Sequence, residues 1–187
     1  MLKSSLLNFA IGLGITFFLP TITGMAATKK VYVGTSEVSI TPNRPVALEG
    51  SFALRISDGI QSPIVASIII VETRKHQKVI ERSVMVSADL VHLPMEMIIA
   101  VRKKISQRYP KWNTNKIFIS TTHTHQAPVV MRNNFIIPEH AMSVAEYIDY
   151  FVKQVTMGIV SAQQNLQTAS VAWWLGSAIV AYNRRTT

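Results

Sequence analysis

The chain has 187 residues, of which 48% are hydrophobic and 16% charged, with no cysteine and a formal net charge of +9. This composition is typical of a globular domain and excludes disordered and collagen-like chains. Without cysteine there is no disulfide framework, thiolate zinc site, iron–sulfur cluster or cysteine nucleophile, so a metal would be held by His, Asp, Glu or Tyr.

The basic residues are spread along the sequence. The longest basic run is Arg102-Lys103-Lys104, and Arg108 follows on the same predicted helix. No nucleic-acid-binding motif accompanies the charge, so we interpret it as a solvated surface and expect no nucleic acid among the partners. Peripheral contact with anionic lipid is the alternative that stays open.

The first 26 residues have the pattern of a secretory signal peptide. Lys3 supplies the positive start, Leu6 to Leu19 is mostly apolar, and Gly24-Met25-Ala26 places small residues where a signal peptidase cleaves. The apolar run is shorter than the about 18 residues that span a bilayer, although a retained anchor is the alternative. We therefore expect export to the periplasm or medium, with residues 27–187 forming a single α/β domain.

Three strands are predicted in the first half of this domain. Residues 31–40 are β-rich and end at the turn signal Thr41-Pro42-Asn43. Residues 63–72 and 79–90 are nearly continuous apolar runs joined by a charged connection, which is typical of a hairpin of buried central strands.

The pattern changes to a helical period after Pro94. A stripe at Met95, Ile98, Ile99 and Ile105 predicts an amphipathic helix that Pro110 closes. A short strand over 116–121 follows, so the order strand, helix, strand predicts a crossover between parallel strands.

The last third of the chain predicts one more helix and one more strand. Ser143 and Glu146 have capping-box spacing, and the helix they begin runs to about Gln164. Residues 170–180 are β-rich, and on a strand one of Trp173 and Trp174 would face the core. The fold class is therefore α/β, with a mixed, partly parallel sheet and flanking helices.

The segment Ser120 to Pro128 follows a predicted strand, where the carboxyl ends of parallel strands open onto a binding crevice. It contains His123 and His125, which point the same way on an extended backbone. Two arrangements stay open: both imidazoles bind one ion, or one binds metal while the other donates to a substrate.

The stretch Ile119-Ser-Thr-Thr-His-Thr-His-Gln-Ala-Pro128, preceded by Met85 to Leu90 and followed by Tyr182 to Arg185, resembles the N-terminal part of the neutral/alkaline non-lysosomal ceramidase family. The resemblance covers roughly residues 30–185. It implies a secreted or membrane-associated zinc amidase that cleaves the N-acyl bond of ceramide to sphingosine and a fatty acid. It also implies that His123 is a zinc ligand and that His125 lies in the active site.

The sequence departs from the family pattern at three points. Gln126-Ala127-Pro128 stands where ceramidases have Ser-Gly-Pro, and no Gly-Tyr element is evident from Leu48 to Arg55. The family's later zinc ligands, a His, a Glu and a Tyr, come from sequence that would follow Thr187. A catalytic zinc site needs about three protein ligands, so we expect the chain to be an incomplete part of a larger hydrolase domain, with the remaining portion as its partner.

Several further residues are candidates for the site. Asp89 could bind a metal or orient a histidine, or serve as a turn residue or N-cap. Arg184 could clamp a carboxylate or a polar headgroup, or belong to a solvated tail. Of the other histidines, His92 follows a strand end, whereas His76 and His140 are expected on the surface.

Two functions remain as hypotheses. The first is a zinc-dependent amide hydrolase domain acting on a small-molecule or lipid amide, in which His125 stabilises the oxyanion or assists proton transfer. The second is a non-catalytic exported remnant or interaction module that keeps the scaffold.

Overall fold

A five-stranded sheet with the strand order β4-β3-β2-β1-β5 organises the chain in the computed structural model, which describes residues 29–131 and 135–180. Neighbouring strands are antiparallel except β3 and β4, which are parallel. The mixed, partly parallel α/β fold is therefore confirmed. The elements are β1 Lys30–Ser39, β2 Val65–Lys75, β3 Lys78–Ala88, α1 Met95–Arg108, β4 Ile117–Thr121, α2 Val144–Gln164 and β5 Gln167–Ala169.

Two predictions concern residues outside the described ranges: the signal peptide over residues 1–26 and the candidate site residue Arg184. Within the described ranges, no helix combines the length and apolarity needed to cross a bilayer.

The predicted hairpin and crossover are both present. The β2–β3 connection turns at His76 and Gln77, whose φ angles are 48° and 67°, as a tight two-residue hairpin loop requires. Helix α1 then links β3 to the parallel strand β4. The carboxyl ends of β3 and β4 consequently lie side by side, with Ala88 opposite Thr121.

Both helices pack on the same face of the sheet. Ile68, Ile70 and Val86 point from the strands into this core and are buried. On the opposite face, Met85 and Phe118 are exposed. The prediction that β2 and β3 are central is confirmed, but their burial is complete on one face only.

Helix α1 buries only part of the predicted stripe: Ile105 is buried as expected, but Met95 and Ile99 are not. Met97, Val101 and Ile105 are its buried residues, at a spacing of four, whereas Met95 and Ile99 are 61% and 56% exposed. Residues four apart share a helix face, and in this sequence both stripes contain apolar residues. Only the packing against the sheet decides which stripe is buried.

Helix α2 begins at the predicted capping box. The Ser143 side chain accepts from the backbone N–H of Glu146, and the Glu146 carboxylate accepts from the backbone N–H of Ser143 at 2.8 Å. Arg44 also donates to Glu146 at 2.6 Å. These hydrogen bonds, led by that of the Ser143 backbone, lower the pKa of Glu146 to about 2.

The strand predicted over residues 170–180 is wrong. The structure places a three-residue strand, β5, just before it, and residues 170–180 form no helix or strand and are exposed throughout. Trp173 and Trp174 are each 87% exposed, so neither faces the core. Strand propensity expresses packing against neighbouring strands, and among the described residues no strand pairs with this segment.

Candidate active site at the end of strand β4

The chain turns sharply where β4 ends. The backbone N–H groups of Thr122 and His123 donate to Ala88 and Leu90 at 3.0 and 2.9 Å, which holds the segment against the end of β3. His123 has a φ of 62°, in the left-handed region. Residues other than glycine adopt this conformation rarely, and histidine is among those enriched in it. The extended backbone assumed for the His-Thr-His segment is therefore broken at its first histidine.

The imidazole of His123 is fixed by a backbone carbonyl. Its Nδ1 lies 3.0 Å from the carbonyl oxygen of Val91, to which the Thr121 hydroxyl also donates at 3.2 Å. A carbonyl oxygen can only accept, so Nδ1 carries the hydrogen. In the neutral ring, Nε2 then carries a lone pair.

His125 is held in the same way by a different carbonyl. Its Nδ1 lies 3.0 Å from the carbonyl oxygen of Gly50, so this ring also presents the lone pair of Nε2. The Nε2 atoms of His123 and His125 are 3.5 Å apart. Two unprotonated nitrogens at that distance form no hydrogen bond with each other.

The spacing of these nitrogens fits a shared cation. Two nitrogens bound to a tetrahedral zinc ion at its usual bond length lie about 3.3 Å apart. Carbonyl bonds to the opposite ring nitrogen are the usual support of metal-binding histidines. The pair accounts for two donors; within residues 29–131 and 135–180 no group of three or more His, Asp or Glu side chains is placed to hold a metal.

Asp89 lies beside this segment and is engaged elsewhere. One carboxylate oxygen accepts from the backbone N–H of Val65 and the other from the hydroxyl of Thr122, each at 3.0 Å. Asp89 thus ties the start of β2 to the residue that precedes His123. Its predicted roles, binding a metal or orienting a histidine, both stay predictions.

The other histidines take two kinds of position. The ring of His92 is exposed and edge-on to His123, with 5.8 Å between centroids. His76 lies exposed in the β2–β3 turn and His140 exposed in the loop before α2, as expected of surface residues. The structure therefore brings His92 towards the pair but leaves it outside a ligand cluster.

Sequence reasoning missed the loop that supports His125. Arg55 donates through one terminal nitrogen to the carbonyl of His125 at 3.0 Å and to that of Glu49 at 3.4 Å. Gly50 supplies the carbonyl for the ring. A Gly-Ser pair such as that at 50–51 favours a turn, but no local pattern shows which side chain a turn will approach.

A groove of about 930 Å³ opens beside Thr124 and Gln126, the residues that flank His125 in sequence. Residues of the loops over 41–46 and 57–64 line most of it, and Thr124 and Gln126, on either side of His125, line one end. Ile60 and Ile64 contribute apolar surface, whereas Asn43 and Ser62 contribute polar groups. The groove is large enough for an organic ligand, and the residues on either side of His125 line it although neither histidine does.

The fold and this pair define an α/β domain with two imidazoles at the carboxyl end of its parallel strands. Solved structures show the same fold: neutral ceramidase from Pseudomonas aeruginosa matches with a TM-score of 0.61, 21% identity and coverage of 75% of this chain. A ceramidase complexed with C2 matches with the same TM-score and coverage at 19% identity.

The likeness confirms the predicted resemblance at the level of the fold, and the described residues form a domain with a ceramidase-like fold. The aligned region spans 22% of the length of each of these ceramidases. No protein-family model matches the chain, and a comparison with curated proteins also finds no match.

Proposed function

We propose that this chain supplies part of the site of a zinc-dependent N-acyl amide hydrolase whose substrate is a lipid amide. The observation that carries the proposal is the pair of Nε2 atoms on His123 and His125, 3.5 Å apart, with the Nδ1 of each ring 3.0 Å from a backbone carbonyl oxygen. The ceramidase-like fold supports it, because those relatives bear the name of an enzyme that acts on a lipid amide.

The two histidines have different roles in this proposal. His123 holds zinc through Nε2, with Nδ1 bound to Val91. A zinc ion at this position would polarise the amide carbonyl and acidify a water molecule. His125 accepts a proton from the attacking water at Nε2 and returns it to the amide nitrogen as the C–N bond breaks. The products are a carboxylic acid and an amine, so one water is consumed for each bond cleaved.

The remaining parts of the site are also proposals. Further zinc ligands would come from the remaining portion of a longer hydrolase, since this proposal assigns zinc one ligand, His123, and no group of three or more His, Asp or Glu side chains among the described residues is placed to hold a metal. Arg184, together with Arg185, would bind a carboxylate or headgroup of the substrate. Export to the periplasm or medium, directed by residues 1–26, would give the protein access to lipid, with peripheral membrane contact.

The first experiment measures zinc in the purified full chain. We expect bound zinc in the wild type and loss of most of it in His123→Ala, because a ligand nitrogen is removed. His140→Ala is the matched control, since this histidine is exposed in a loop and contacts neither site histidine in the structure. A wild type without zinc, or unchanged zinc binding in His123→Ala, would contradict the assignment.

A non-catalytic interaction module is the second candidate function. It is favoured by the two-donor site and by the exposed apolar residues of 170–180, which are typical of a surface that binds a partner. Hydrolysis assays on N-acyl substrates separate the two functions. Activity that chelator removes and zinc restores would eliminate the interaction module as the whole function.

A further inference from the structure

We propose that Gly50 is a positioning residue for His125: its carbonyl selects the ring tautomer and its missing side chain makes room for the ring. The chemical role of His125 in this inference rests on the proposed function. The way in which Gly50 holds the His125 ring does not. It assigns a role to a loop that carried no recognisable motif.

A short backbone ladder fixes Gly50 opposite the histidine segment. The N–H of Glu49 donates to the carbonyl of Ala127, and the N–H of Val129 donates to that of Ala47, both at 2.9 Å. Leu48 and Pro128 form the bridge between them. Because antiparallel pairing fixes the register, continuing it by two residues brings Gly50 next to Gln126 and His125.

Arg55 reinforces this register from within the same loop. The N–H of Leu48 donates to the Arg55 carbonyl at 2.8 Å, and the Arg55 side chain donates to the His125 carbonyl at 3.0 Å. The loop is therefore bound to the histidine segment through backbone and side-chain contacts on both sides of Gly50. Its position relative to the ring does not depend on the ring contact alone.

Only glycine fits this position. A Cβ built on Gly50 would lie 2.4 Å from Cγ and Nδ1 of His125, well inside van der Waals contact. The φ of Gly50 is 83°, a conformation that side chains disfavour. The ring of His125 therefore occupies the space that the Cβ of any other residue at position 50 would need.

The contact decides which chemistry His125 performs. Since the Gly50 carbonyl requires hydrogen on Nδ1, neutral His125 offers a lone pair at Nε2. It can accept a proton there, but it cannot donate a hydrogen bond to an oxyanion from that atom. Once it has accepted that proton, the same atom becomes a donor, so the contact assigns both roles left open by the sequence to Nε2.

The test is imidazole ¹⁵N NMR on the full chain at about pH 8.5, where free imidazole is neutral. The ¹⁵N shifts distinguish a nitrogen that carries hydrogen from one that carries a lone pair. In the wild type we expect hydrogen on Nδ1 of both His123 and His125. In Gly50→Ala, the ratio of the Nδ1–H to the Nε2–H tautomer of His125 should fall about fivefold or more, as loss of one hydrogen bond predicts.

Three comparisons make the result specific to this contact. Gly59→Ala is the matched control in the same region, because its Cβ meets no atom within 4 Å, and it should leave both tautomers unchanged. Gly50→Asn tolerates the positive φ but keeps the Cβ clash, so it should shift the His125 tautomer with less backbone strain. His123, whose partner is Val91, should keep its tautomer in every variant that folds.

The outcomes separate this inference from the proposed function. Wild-type His125 with hydrogen on Nε2, or an unchanged His125 tautomer in Gly50→Ala and Gly50→Asn, would overturn the role of Gly50 whatever the zinc content. A shifted tautomer in a protein that binds no zinc would support the role of Gly50 and overturn the zinc hydrolase instead.

Discussion

At the scale of single residues, the candidate site depends on backbone carbonyls more than on neighbouring side chains. Val91 and Gly50 each bind one Nδ1, and the two Nε2 atoms meet as a result. Asp89, the one carboxylate predicted at this edge, binds the backbone of Val65 and the hydroxyl of Thr122 instead. Its geometry therefore gives it a structural role that substitution can distinguish from metal binding.

We expect Asp89→Asn to retain stability and zinc, because the amide oxygen can accept from Val65 while the amide nitrogen donates to Thr122. Asp89→Ala removes both bonds and leaves the Val65 N–H without its partner. It should lower the free energy of unfolding by about 1.5–3 kcal/mol, measured by urea denaturation. Loss of zinc in Asp89→Asn with unchanged stability would instead identify Asp89 as a ligand.

The sequence predicted the histidine pair but not its geometry. His-x-His after a strand was sufficient to select His123 and His125 and their edge of the sheet. The reason given, an extended backbone, was wrong at His123, whose φ is positive. Gly50 lies 75 residues from His125 in sequence, and no local pattern reports a contact between such distant residues.

At the scale of secondary-structure elements, the stability of the start of α2 depends on the ionisation of Glu146. The pKa of Glu146 is lowered from 4.5 to about 2 by its bonds to Ser143 and Arg44. A carboxylate with a lowered pKa stabilises the fold above its unfolded pKa, and this contribution is lost as the pH falls through the folded one. The stabilisation is therefore complete above about pH 5 and disappears towards pH 2.

The variant Glu146→Gln tests the direction of this pH dependence. Its melting temperature should lie below that of the wild type at pH 7, and the difference should shrink between pH 4.5 and about 2, where both proteins carry an uncharged group. Thermal melts followed by circular dichroism measure it. Glu96→Gln is the control, since Glu96 is in the first turn of α1, where no side chain caps the helix. A difference that is constant with pH would contradict the ionic contribution.

Elements with local signals were predicted well, and those defined by distant partners were not. The capping box at Ser143 and the charged connection between β2 and β3 are each contained in a few residues, so α2, the hairpin and the crossover to β4 followed from the sequence. Which stripe of α1 is buried, and whether residues 170–180 form a strand, depend on what packs against them. Met97 and Ile99 are both apolar, and only the sheet determines that Met97 is the buried one.

At the scale of the whole molecule, the net charge is partly compensated within the structure. Arg74 and Arg82 both bind Glu72, whose side chain is fully buried, and Lys116 binds Glu81 at 2.5 Å. Removing a buried carboxylate from such a cluster leaves cations without compensation, which is destabilising. These five charged groups near the β2–β3 hairpin are structural, and no anionic ligand is needed to explain them.

The exposed apolar residues near the end of the described chain are a more unusual feature of the molecule than its net charge. Val171, Trp173, Trp174 and Leu175 are each at least 69% exposed and lie close together in a segment that forms no helix or strand. Contiguous apolar surface of this kind promotes association in water. The segment makes no strand pairing with the described sheet, so changing it should affect association without affecting the fold.

The double variant Trp173→Ser, Trp174→Ser should therefore melt within about 2 °C of the wild type, because surface substitutions change stability little. In sedimentation velocity, it should self-associate less than the wild type. Trp112→Ser is the contrasting control: its ring stacks on Tyr109 at 4.4 Å and lies under Arg82 at 4.1 Å, so it should lose about 2 kcal/mol or more of stability. If the double variant melts as early as Trp112→Ser, the segment packs against the domain in solution. If it melts like the wild type but associates equally, the exposed face of the sheet around Met85 and Phe118 becomes the surface to vary next.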